Sequence, residues 1–238
     1  MQLRETITQA RMSKRGSLDE LSGKRLLAQF GVAVPASIMV RANESLGAQL
    51  DALKPPFVVK VMSPEILHKS DVGGVRVGLG NVAEVEAAIR SMLEKPAISS
   101  KPVDGFLVEE MAPAGQEMVI GGLKDPQFGP LVMVGLGGIF VEVLKDVAFR
   151  ICPIERVDAL EMLDELKGRA VLDGVRGQAA VSRAAIVDVL LKVGGRNGLL
   201  MTFAGDIAEA DINPIIVSAT GAVAVDARFI LTPEASAC

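Results

Sequence analysis

The chain contains a single histidine, His68, in a polar stretch with Lys69, Ser70, Asp71 and the pair Gly73-Gly74. Imidazole nitrogen is a competent nucleophile near neutral pH, so this glycine-hinged setting suits a phosphate acceptor; a surface histidine without chemistry is the plainer alternative. Metal binding there is disfavoured, because no second histidine exists and both cysteines, Cys152 and Cys238, are remote in sequence. Lys60 interrupts the apolar run Phe57-Val58-Val59-Lys60-Val61. A buried ammonium is costly unless paired, so Lys60 either snorkels out at a strand end or points a cation at a phosphate. Near the C-terminus, Asp211-Ile212-Asn213-Pro214 is followed by Asp226. Strand alternation places Asp211 and Asn213 on one face, and a hairpin would bring Asp226 opposite them. Converging carboxylate and amide oxygens suit Mg²⁺, while turn-forming Asp and Asn beside a proline read equally well as a turn. Gly135-Leu136-Gly137-Gly138 invites a dinucleotide-binding reading, but the third glycine of that fingerprint would fall at Phe140. A tight turn between strands and a glycine loop approaching phosphate are its other readings. No P-loop is present, since no Gly-Lys-Ser/Thr follows a glycine at the needed spacing.

Several elements must position these groups. Residues 1–16 are mixed polar and basic and are expected to form a loosely held arm. Ser17 and Glu20 are spaced as a capping box for a helix with Leu18, Leu21, Leu26, Leu27 and Phe30 on its apolar face, stopping at Gly31. Strands are expected at 36–40, 57–61, 75–79 and 106–108, with a helix capped by Asn81 and Glu84 between the last two. The Pro/Ser-rich stretch 96–102 is the expected subdomain boundary. Beyond it, strands are expected at 117–123, 130–134, 139–144 and 147–151, helices at 157–166 and 183–193, and strands at 208–212 and 222–225. Short strands pairing as hairpins with helices interspersed give an α+β class, not a doubly wound parallel sheet.

The chain has 238 residues, half of them apolar and 23% charged, which excludes global disorder. Its net charge, 25 minus 29, is −4, with no basic run and with no Trp or Tyr, so nucleic acid is not an expected partner. The longest apolar run, residues 131–141, is broken by three glycines, so no membrane span is expected, and the first residues, with Arg4, Glu5 and Arg11, lack the apolar stretch expected of a secretory signal. Two distant cysteines argue against a disulfide framework, and a reducing cytoplasm is the expected compartment.

Taken in order, Phe57-Val58-Val59-Lys60, Ile66-Leu67-His68-Lys69-Ser70-Asp71-Val72-Gly73-Gly74-Val75, Val108-Glu109-Glu110-Met111, Gly115-Gln116-Glu117 and Lys124-Asp125-Pro126-Gln127-Phe128-Gly129-Pro130 form a series. It continues through Gly137-Gly138-Ile139-Phe140-Val141-Glu142, residues 146–150 and Asp211-Ile212-Asn213-Pro214. The series resembles an ATP-grasp protein, the β subunit or domain of ADP-forming acetyl-CoA and acyl-CoA synthetases, over about residues 17–231. Succinyl-CoA synthetases are resembled more distantly. The resemblance implies an ATP-grasp fold of two α+β subdomains gripping a nucleotide between them. Its expected limits are an arm at 1–16, subdomains at 17–103 and 104–232, and a tail at 233–238.

By the same resemblance Lys60 contacts the phosphates of ATP or ADP, Glu109, Glu110 and Met111 form the hinge against adenine, and Glu117 binds ribose. Asn213 and Asp226 are the implied Mg²⁺ ligands, with Asp211 as ligand or orienting acid, and Glu142 and Arg150 line the phosphate site. His68 would ferry phosphoryl between ADP and a phosphohistidine on a separate CoA-binding α subunit, in a hetero-oligomer. The implied activity is that of an acid–CoA ligase forming ADP and phosphate. The rival from another class is a non-catalytic ATP-binding module regulating an acyl-CoA-handling or protein acetyltransferase complex; a nicotinamide-dependent oxidoreductase rests only on residues 135–138. Which acid is activated is not written in these residues.

Overall fold

The computed structural model describes residues 4–233 except 14, 42, 43, 45, 67, 139, 140, 142 and 176–178. In chain order the first half contains α1 (Glu5–Met12), β1 (Ser17–Leu18), α2 (Glu20–Gln29), β2 (Ser37–Val40), α3 (Gly47–Leu50), β3 (Phe57–Met62), β4 (Val75–Leu79), α4 (Val82–Leu93), α5 (Pro96–Ser99) and β5 (Gly105–Glu110). The second half contains β6 (Gln116–Asp125), β7 (Gly129–Leu136), β8 (Val147–Ile151), α6 (Arg156–Glu165), a 3₁₀ turn (Arg169–Asp173), α7 (Arg183–Gly194), α8 (Leu199–Thr202), β9 (Ile207–Val217), β10 (Ala222–Ala224) and β11 (Arg228–Leu231). Among the described residues no helix is long and apolar enough to cross a membrane.

One compact unit is Pro35–Ala112; the other joins Met1–Val34 to Pro113–Cys238. This division departs from the boundary expected at 103/104. In the smaller unit a four-stranded antiparallel sheet runs β2-β5-β3-β4, so β5 lies inside it with neighbours on both sides. Cutting the chain before β5 would strand both of its hydrogen-bonded edges. The stretch expected to be a linker holds α5, whose Ile98 is fully buried in this unit's core with Phe106, Val85 and Met92. Asn81 caps α4 as its spacing indicates: its Oδ1 accepts from the Glu84 amide at 3.0 Å, and the Glu84 carboxylate accepts from the Gly80 amide at 2.9 Å.

In the larger unit the path β1-β11-β9-β6-β7-β8 forms a sheet to which β10 adds by pairing with β9. Helices α6 and α7 bury Met162, Leu163, Ile186 and Leu190 against Val132, Val134 and Ile212 on one face of that sheet. The N-terminal segment belongs here. Residues 5–12 are not a loose arm: they form α1, which buries Ile7 in the core, and Arg11 bonds Asp206 at 3.0 Å. Ser17 does not cap a helix, because it pairs with Ile230 across β1 and β11; Asp19 caps α2 instead, accepting from the Ser22 amide at 2.9 Å. Glu20 is buried and accepts from Lys24 Nζ at 2.7 Å. The expected strand at 139–144 is replaced by a turn at Val143 and Leu144, while its residues 139, 140 and 142 lie outside the described residues. So does the expected tail from residue 234 onward.

Candidate functional site

In the smaller unit the site is built around Lys60. Burial of β3 on both sides leaves Lys60 only 7% exposed, and its Nζ lies 3.1 Å from Oε2 of Glu109, which is 1% exposed. The ammonium therefore does not snorkel; it is held by a carboxylate on the neighbouring strand. Glu109 is thus occupied with orienting Lys60. Glu110 accepts from the Lys54 amide at 2.9 Å, and the amides of Glu110 and Met111 donate to the carbonyls of Ala36 and Pro56. Both of these amides are thus committed within the unit. Met111 itself is 43% exposed.

His68 is exposed in the turn-rich segment between β3 and β4. That segment is tied down at its base. The Gly74 amide donates to Lys69 at 2.7 Å and the Gly73 amide to Ser70 at 2.9 Å, while Lys95 Nζ donates to the Gly73 carbonyl at 2.7 Å and Lys101 Nζ to Glu65 at 3.1 Å. Gly73 adopts φ +65°, which favours glycine. At Gly74 a Cβ would lie 2.5 Å from Val61 Cγ1, so the second glycine serves close approach.

In the larger unit the strand alternation of β9 holds: Ala210 and Ile212 enter the core, while Glu209, Asp211 and Asn213 are exposed on the other face. Asp211 stands opposite Gly121 of β6, which stands opposite Met133 of β7 and so Phe149 of β8. These residues line a shallow hollow of about 230 Å³ with Asp211 and Glu209. Glu117 shares this face at the far end of β6, four residues from Gly121 or about 13 Å along an extended strand. Asp226 falls in the connection between β10 and β11, not directly across from Asp211; its carboxylate accepts from the Ala227 amide at 2.8 Å. Asp211 nevertheless feels it. Although the residue is solvent-accessible, partial desolvation of the Asp211 carboxyl by the protein around it is the largest cause raising its pKa above the usual aspartate range; Asp226 and then Glu209 push the same way, and Arg228 opposes them.

Two carboxylates and an amide, Asp211, Asp226 and Asn213, make a hard oxygen donor set, and the mutual repulsion that raises Asp211 is what a divalent cation relieves. Among the described residues no three His, Cys, Asp or Glu side chains gather to hold a metal. Hard oxygen donors of this kind fit Mg²⁺ completed by substrate phosphates and water.

Arg150 is not part of this face. It stands opposite Val132, a core residue on the helix-covered side, and donates to Glu165 Oε2 at 3.1 Å with Glu161 also in range. Its guanidinium holds the Glu165 carboxyl below the usual range by that hydrogen bond. By strand parity Phe149, not Arg150, shares the Asp211 face. Glu142 lies outside the described residues. Residues 135–138 do not open a dinucleotide fold, because β7 is antiparallel to both neighbours; a Cβ on Gly137 would stand 2.8 Å from Glu117 Cβ and 2.9 Å from the Glu117 carbonyl. Buried Asp146, which follows that loop, accepts from the Lys167 and Gly168 amides at 2.8 Å each. Periodicity does not single out Arg228, which pairs directly with Asp211; only the Asp-x-Arg spacing from Asp226 marks it.

Residues 9–231 match the ATP-grasp domain family. The subunit beta of ADP-forming acetate–CoA ligase I of Pyrococcus furiosus is 41% identical over 230 residues, covering 96% of this chain and 97% of that protein. ADP-forming acetate–CoA ligase I of Archaeoglobus fulgidus is 36% identical over 232 residues, covering 97% of this chain but 33% of that longer protein. Among solved structures, the dinucleotide forming acetyl-coenzyme A synthetase 1 of Ca. Korarchaeum cryptofilum superposes with a TM-score of 0.83 at 40% identity, covering 97% of this chain and 100% of that one. That protein is in complex with coenzyme A and Mg-AMPPCP, its phosphohistidine segment pointing towards the nucleotide binding site.

Proposed function

Because this chain belongs to the ATP-grasp family, among relatives that are β subunits of ADP-forming acetate–CoA ligases, we propose that it is the nucleotide-binding subunit of such a ligase. It moves a phosphoryl group between ATP or ADP and histidine, and the complete complex joins a small carboxylic acid such as acetate to CoA. The observation that carries this reading is the solvent-facing pair Asp211 and Asn213 on β9, with Asp226 close enough to raise the Asp211 proton affinity. Phosphoryl transfer needs positioning and neutralisation of spread charge more than covalent chemistry from the protein.

In this reading Lys60, oriented by Glu109, contacts the nucleotide phosphates, Met111 borders the base, and Glu117 takes the ribose. Asn213 and Asp226 would hold Mg²⁺ with Asp211 beside them, and the ion when bound supplies further neutralisation of the phosphates. Exposed His68 attacks the γ-phosphorus through a ring nitrogen: the N–P bond forms as the bond from phosphorus to the β–γ bridging oxygen breaks, ADP departs, and the ring proton passes to solvent. The phosphoryl group then moves to a histidine on a separate CoA-binding subunit, and every step runs in reverse for ATP synthesis. The name of the Pyrococcus relative, a subunit beta, and the threefold greater length of the Archaeoglobus relative both support a partner carrying the remaining chemistry. A cytoplasmic location suits these substrates.

The test is transfer of label from γ-labelled Mg·ATP to the full chain with its CoA-binding partner. Acid-labile, base-stable label is expected on the wild-type chain and not on His68→Ala, which should still bind Mg·ATP. Label persisting on His68→Ala refutes the carrier role, and Mg·ATP binding without label on either protein marks a non-catalytic module.

A further inference from the structure

The face that carries Asp211 presents three carboxylates, Glu209, Asp211 and, from the adjoining connection, Asp226. A phosphoryl group in transit spreads negative charge over three equatorial oxygens and would be repelled by them; a cation on one side covers only part of that charge. The same face holds one arginine in register with Asp211. Arg228 is its direct cross-strand partner on β11, and because Phe229 and Leu231 enter the core, Arg228 projects to the Asp211 side. It is exposed, and among the described residues its guanidinium makes no hydrogen bond or ion pair, acting on Asp211 only through charge. Three other arginines of this unit sit in ion pairs: Arg150 with Glu165 and Glu161, Arg183 with Asp164 and Asp173, and Arg11 with Asp206. Directly opposed Cβ atoms in an antiparallel pair lie about 5 Å apart, so an ion pair with Asp211 is within reach yet not formed.

We propose that Arg228 binds the phosphoryl group during its transfer, donating from its planar fork to two equatorial oxygens on the side of Asp211. The inference rests on the nucleotide-handling reading above and adds to it a contact with the transferred group. A planar bidentate donor matches phosphoryl oxygens better than the point charge of a lysine. The plainer alternative is that Arg228 merely balances the carboxylates around it. The two differ in what they stabilise: a charge balancer acts equally in every nucleotide state, whereas a phosphoryl ligand acts when the transferred group is present.

The experiment is titration calorimetry of Mg·ADP into the full chain with and without aluminium fluoride, which mimics the phosphoryl group in flight. For wild type, fluoroaluminate should tighten Mg·ADP by at least about tenfold, as for complexes that resemble a transition state. Arg228→Gln should bind Mg·ADP within about threefold of wild type and lose that enhancement, and Arg228→Lys should keep only part of it. Wild-type enhancement in Arg228→Gln overturns the assignment while leaving the nucleotide reading intact. The assignment also falls if fluoroaluminate has no effect on wild type that binds Mg·ADP, or if Arg228→Gln weakens Mg·ADP as much as the fluoroaluminate complex and Arg228→Lys restores both. Absence of wild-type Mg·ADP binding removes the nucleotide reading itself.

Discussion

Replacing Lys60 by Met should separate what the buried ion pair does for stability from what it does for function. The side chains of Lys60 and Glu109 are 8% and 2% exposed and 3.1 Å apart. At an effective dielectric of about 20 their attraction is about 5 kcal/mol, and removing one member of such a pair typically costs about 3–5 kcal/mol because the other charge stays desolvated. With a urea m-value of about 1.5 kcal/mol/M, that lowers the unfolding midpoint of the Pro35–Ala112 unit by about 2–3 M. Replacing both residues by apolar ones, Lys60→Met with Glu109→Leu, removes the stranded carboxylate and should return stability to within about 2 kcal/mol of wild type. Nucleotide binding should not return, since the cation is gone in both variants. Urea unfolding followed by circular dichroism, with calorimetric titration of Mg·ATP on the same preparations, reads both quantities. A cost below about 1 kcal/mol for Lys60→Met would mean that the pair behaves as a solvated surface ion pair. A double variant no more stable than the single one would place the loss in packing instead of charge. Either result refutes the reasoning, as does a double variant that binds Mg·ATP like wild type.

Three further outcomes are expected. Gly74→Ala should destabilise the smaller unit by about 1–3 kcal/mol in urea unfolding, because its Cβ would stand 2.5 Å from Val61 Cγ1 and 3.0 Å from the Lys69 carbonyl. Burial pushes the Cys152 thiol up to about 12, so with Cys238 replaced by Ser the native protein should not react with Ellman's reagent at pH 8, and one thiol should appear on denaturation. Asp211 has a folded pKa raised above its unfolded one, so the folded state binds the extra proton and metal-free stability should fall as pH rises from the ordinary aspartate range through the raised value. Asp211→Asn should therefore stabilise the metal-free chain at pH 7 and remove that slope in urea unfolding between pH 4 and 7, a modest effect because solvent reaches the residue.

What the sequence determined by itself was local. Asn81 with Glu84 marks the start of α4, the apolar run around Lys60 marks β3, and alternation puts Asp211 and Asn213 on one side of β9, because capping and pleating depend only on neighbours in the chain. The ordered motifs carried the family as well, since their residue types and order persist along most of the chain. Tertiary structure alone decided which side of each strand meets helices. Arg150 and Asp211 each sit on a regular strand, yet register across β7, β6 and β9 sends one to α6 and the other to the exposed face. It decided that Lys60 meets Glu109, that Ser17 joins a strand instead of capping α2, and that residues before 35 fold with those after 112. Arg228 belongs to the same class. Its pairing with Asp211 links residues 17 positions apart through a hairpin whose register is set by burying Phe229 and Ala210, a constraint that the local pattern around either residue does not contain.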